Sequence, residues 1–84
     1  MARLRNSPGP DGWNGMSVRL RRISRGMRGK DMIDLILKEC ELEVSLPSYL
    51  AYEAGTRSPP SRVASAVAFV FGITPEEMNK PIDL

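Results

Sequence analysis

The strongest constraint on this chain is its punctuation. Gly26, Gly29, Gly55, Pro59, Pro60, Gly72, Pro75 and Pro81 cut it into short segments. Glycine and proline are poor in helix interiors and mark ends and turns. Between the breaks, apolar residues recur at helical spacing, and there is no strand pattern and no internal repeat. Helices this short are marginal alone and must bury a face against one another. The expected fold is all-α: a compact bundle of about five short helices joined by two to six residues, preceded by a flexible basic arm.

Residues 1–15 hold Pro8, Gly9, Pro10, Gly12, Asn14 and Gly15, a composition read as that arm. Trp13 is out of place in an arm and is expected to dock on the domain over residues 16–80; 81–84 are a tail. Ser17 is read as the cap of helix 1, with Leu20, Ile23 and Met27 on its apolar face and an end near Met27. Helix 2 is expected from Asp31 to about Glu41, with Met32, Ile33, Ile36, Leu37 and Cys40 on its apolar positions. After a very short break, Ser45 caps helix 3. Pro47 fits its first turn, and Gly55 closes it in a left-handed conformation. Ser61 is read as the cap of helix 4, which is apolar nearly all round and ends at Gly72. Such a helix is either central to the domain or part of an interface. Thr74-Pro75-Glu76-Glu77 has the pattern of a capping box, with proline at the first position of a short helix 5.

Charge and chemistry narrow the function. Eight basic residues stand against one acid in residues 1–30, and four against nine in 31–84, so a net +2 conceals halves of +7 and −5. A concentrated basic segment can match nucleic-acid phosphates, or it can simply be a solvated face. There is no histidine, no cluster of metal-ligand residues and no phosphate-cradling glycine loop. An enzyme is therefore disfavoured, and no cofactor, metal or small-molecule substrate is expected. The single Cys40 cannot form an internal disulfide and reads as a small buried hydrophobe. No apolar run reaches the roughly 20 residues that span a bilayer. The start, MARLRNSPGP, has no apolar segment behind it, so no signal peptide is expected. The expected setting is cytoplasmic and nucleoid-associated.

Residues 44–78, VSLPSYLAYEAGTRSPPSRVASAVAFVFGITPEEM, carry a resemblance. Val44-Ser45 enters a helix. Tyr52, Glu53 and Gly55 close it. Arg57 and Pro59 form a basic loop, Val67 and Ala68 lie in an apolar helix, and Gly72, Ile73, Pro75 and Glu77 lead into a capped last helix. The ordered set resembles the second half of the phage repressor and Cro (XRE-type, lambda-repressor-like) family of helix-turn-helix domains, across about 35 of the 84 residues. The first half departs from that pattern. The family's turn glycine falls on Glu43 and its small alanine on Glu39, so a longer or differently bent turn between helices 2 and 3 is expected.

The resemblance implies a DNA-binding transcriptional regulator that reads double-stranded operator DNA as a homodimer, with helix 3 in the major groove. The exposed start of helix 3 would then present Leu46, Pro47, Ser48, Leu50 and Ala51 to bases. Tyr49 is open between base contact and core, and Tyr52 is favoured as core. Arg28, Lys30, Arg57, Ser58 and Arg62 would hold phosphates, and the arm's Arg3 and Arg5 would add contacts. Phe69, Val70, Phe71, Ile82 and Leu84 are candidate dimer residues. Glu53 would pair with an arginine of helix 1: Arg19, Arg21 or Arg22. Helix 3 has no Arg, Lys, Asn or Gln, the types that make bidentate base contacts; Leu46 or Ala51 would instead meet a thymine methyl. That apolar tip also fits a second reading: an antitoxin-like or adaptor protein on the same fold whose helix 3 meets a protein partner.

Overall fold

The computed structural model describes Gly9 and residues 12–81. These form five α-helices: α1 (Gly15–Ser24), α2 (Gly29–Cys40), α3 (Leu46–Ala54), α4 (Ser61–Phe71) and α5 (Pro75–Met78). α3 packs on α1 and α2, α4 on α2, and α5 on α4. The shared core contains Val18 of α1, Met32 and Ile36 of α2, Tyr49 and Tyr52 of α3, Val63, Ala66, Val67, Ala68 and Phe71 of α4, and Met78 of α5. No helix among the described residues is long and apolar enough to cross a membrane.

Much of the capping follows the expected chemistry. Ser45 Oγ accepts from the Ser48 N–H at 3.3 Å and caps α3, with Pro47 in the first turn. Gly55 and Gly72 close α3 and α4 at φ +79° and +72°, where any other L-residue would be strained. Thr74 Oγ1 accepts from the Glu77 N–H at 3.1 Å, and Pro75 takes the first position of α5. α4 begins one residue earlier than expected, capped by the backbone of Pro60. α2 begins at Gly29, two residues earlier, where Asp31 Oδ2 accepts the Arg28 N–H at 2.8 Å.

α1 differs most from the sequence reading. Its cap is Asn14, whose side chain accepts from the Ser17 N–H at 3.0 Å. Trp13, Asn14 and Gly15 are buried, so the last residues assigned to the arm belong to the domain. Trp13 does dock: its indole N–H donates to the Tyr52 carbonyl at 2.7 Å. The buried face of α1 is not Leu20 and Ile23, while Met27, beyond the end of the helix, does pack against the core. Ile23 is half exposed, and Ser17, Val18 and Arg22 point inward.

The inward polar groups have partners far along the chain, as burial requires. Ser17 Oγ lies 2.7 Å from the Met78 carbonyl and 2.9 Å from that of Lys80, its one hydrogen shared between them. Asn14 donates twice to Asn79, from its main-chain N–H to the side-chain oxygen at 2.9 Å and from its side-chain amide to the carbonyl at 3.2 Å. Arg21 donates to the Glu77 carbonyl at 3.0 Å. Arg22 grips Glu53 in a bidentate pair at 2.7 and 2.8 Å, the partnership expected for Glu53. This bond, ahead of the opposing effect of burial, raises the guanidinium pKa.

Candidate nucleic-acid interface

The connection from α2 to α3 determines what the surface presents. It comprises residues 41–45, longer than the three- to four-residue turn of a tight helix-turn-helix. Glu41 starts it with a left-handed backbone, φ 52°. Exposure then alternates: Glu41, Glu43 and Ser45 face solvent, while Leu42 and Val44 pack on the core. Alternation of this kind marks extended chain, at about 3.3 Å per residue. Four such residues, 42–45, cover roughly 13 Å, most of the roughly 18 Å length of a twelve-residue helix. The chain thus returns alongside α2, and α3 starts beside the place where α2 started.

Gly29 shows the closeness of that approach. A Cβ added there would lie 3.1 Å from both a Leu46 and a Leu50 methyl carbon. The first turn of α2 and the first half of α3 therefore share one surface. Arg28 and Lys30 flank Gly29 and are exposed. Pro47 is exposed, Leu50 is 44 % exposed, and Leu46, Ser48 and Ala51 are half-buried. Arg57, in the loop after α3, donates to Ser48 Oγ at 3.1 Å, with its guanidinium 5.6 Å from the centre of the Tyr52 ring. One face thus gathers Arg28, Lys30, Leu46, Pro47, Ser48, Leu50 and Arg57. Arg28 also meets Asp31 at 3.4 Å. The Arg28 backbone N–H, then its side chain, holds the Asp31 carboxyl below its ordinary pKa of 3.8.

Other expected site residues fall elsewhere. Tyr49 is fully buried and reads no base. Its ring is core because α3 turns the Tyr49, Tyr52 and Glu53 side toward α1 and α2. Its hydroxyl has no hydrogen-bond partner among the described residues. Burial, and then the nearby Glu53 charge, pushes the phenol pKa well above 10. Phe71 is likewise core, 7 % exposed, with the Arg25 guanidinium 4.8 Å from its ring centre, so it is not a free interface residue. Phe69 is 63 % exposed and Val70 half-buried. Arg62 is exposed on α4. Ser58 lines a separate open groove of about 580 Å³ with Trp13, Pro59, Ser61, Ala64 and Pro75. Arg3, Arg5, Ile82 and Leu84 lie outside the described residues.

The sequence reading missed Gly29, taking it for a helix terminator when it is the seat on which α3 rests. Only the pairing of a glycine with two leucines 17 and 21 positions later could have signalled this, and no local pattern encodes it. No group of three or more metal-ligand side chains capable of holding an ion occurs among the described residues. In comparisons with known proteins, no family model, no curated protein and no solved structure matches the chain.

Proposed function

We propose that this protein binds double-stranded DNA through the face where α2 and α3 begin, and acts as a transcriptional regulator of the phage repressor and Cro type. The observation that carries this is the Gly29 seat, which places Arg28 and Lys30 beside the exposed start of α3, with Arg57 on its other side. A protruding helix edge bordered by cations suits a major groove bordered by phosphates. The resemblance of residues 44–78 to that family points the same way. One small module reads few bases, so a homodimer on two half-sites completes the proposal, with exposed Phe69 on α4 as its candidate contact.

The test is binding of the full chain to random-sequence duplex at two salt concentrations. Binding that weakens steeply with salt, and weakens further in Arg28→Ala, Lys30→Ala and Arg57→Ala, supports the proposal. Salt-independent binding, or none, rejects it. A second reading draws on the exposure of Leu50 and Pro47: the same face would dock an acidic, partly apolar protein segment as an adaptor does. That reading gains if the three variants leave DNA binding unchanged.

A further inference from the structure

We infer that the DNA-facing edge of α3 reads thymine methyl groups. This rests on the DNA-binding reading above and specifies its chemistry.

α3 contains no Arg, Lys, Asn or Gln, and its one charged residue, Glu53, is buried against Arg22. The edge beside Arg28 and Lys30 therefore offers Leu46, Pro47, Leu50, Ala51 and a single hydroxyl, that of Ser48. That hydroxyl accepts from Arg57 at 3.1 Å and keeps its own hydrogen as the one donor among these side chains. The bond also ties Arg57 to the side of α3, with its guanidinium against Tyr52. Apart from that hydroxyl, this edge offers hydrocarbon toward a groove, with Pro47 exposed and Leu50 44 % exposed. Among the four base pairs, the major groove presents one apolar feature: the thymine C5 methyl. The cations around the leucines match the phosphates bordering that groove, whereas a purely apolar partner would leave them without a counter-charge.

Removing a methyl from an apolar contact costs about four-fold in affinity, the value of one buried CH₂. The full chain is used to enrich sites from a random duplex pool. In the best site, each thymine is then replaced singly by deoxyuridine, which removes the methyl and keeps the O4 acceptor. The expected result is about four-fold weaker binding at one or two positions per half-site, with no such loss in Leu50→Ala. The deoxyuridine series needs only the unaltered chain, so it decides the matter even if that variant folds poorly. An enriched site indifferent to deoxyuridine overturns the inference and leaves Arg57 or duplex shape as the reader. Salt-sensitive binding without any enriched sequence also overturns it while leaving DNA binding intact. Failure to bind duplex at about 50 mM salt defeats the underlying DNA-binding reading instead.

Discussion

Glu53 is 3 % exposed, and it remains a tolerable residue there because Arg22 meets both of its oxygens. Breaking such a pair strands a buried charge, which costs about 3 kcal/mol or more, whereas replacing both partners with apolar residues of similar size is far milder. Arg22→Ala and Glu53→Ala should each lose about 3 kcal/mol in urea unfolding. The double replacement Arg22→Met with Glu53→Leu should recover most of that loss. The nearby Tyr49 hydroxyl has no hydrogen-bond partner among the described residues, so Tyr49→Phe should be neutral or gain about 1 kcal/mol in the same measurement. Gly15 is constrained by space. A Cβ there would fall on the carbonyl oxygens of Tyr52 and Glu53 at the end of α3, which are backbone and cannot move aside cheaply. Gly15→Ala should cost about 3 kcal/mol, although alanine is the better helix former.

At the scale of elements, the helix count and several ends were legible because capping and termination are local. Ser45, Gly55, Gly72 and Thr74-Pro75 act through atoms within a few residues. The face of α1 was not legible. Apolar periodicity points to Leu20, Ile23 and Met27, yet the helix turns Ser17 and Arg22 inward, where Ser17 Oγ meets the Met78 and Lys80 carbonyls and Arg22 meets Glu53, all 31 or more residues away. A pattern of hydrophobicity cannot register a polar group satisfied at such a distance. The same limit applies to the surface. The residues of the candidate face were named from the sequence, but their assembly around Gly29 depends on the path of residues 41–45. Glu41 bends the start of that path at φ 52° and sits where the α2 dipole is negative, two unfavourable circumstances for a carboxylate-bearing residue. Glu41→Gly should raise stability by about 1 kcal/mol in thermal unfolding. At the other end of α2, Asp31 has a lowered folded pKa, so its contribution is present above its ordinary pKa of 3.8 and is lost as pH falls through the folded value. Asp31→Asn should flatten that acid limb of the stability profile.

For the molecule as a whole, charge is arranged against the fold's own gradient. Arg28, Lys30 and Arg57 border the candidate face, while Glu43 lies exposed on the approach to α3, the one strand-like stretch of backbone leading into that face. In the DNA-binding reading, each of the three cations that meets a phosphate contributes about 0.9 to the slope of affinity against salt. Arg28→Ala or Arg57→Ala should flatten the slope by about one in an anisotropy titration, and Glu43→Gln should tighten binding by removing a repulsion. The closure of the molecule has a different consequence, one that concerns its birth. Asn14, Ser17 and Arg21 take their partners from residues 77–80, so α1 has its polar face complemented by a segment made 56 or more residues later. While residues 77–80 are still inside the exit tunnel, Ser17 lacks these acceptors and Asn14 its mate. α1 therefore cannot settle until that segment has emerged, and a message cut short before the codon for Glu77 would yield a chain whose first described helix never finds its seat.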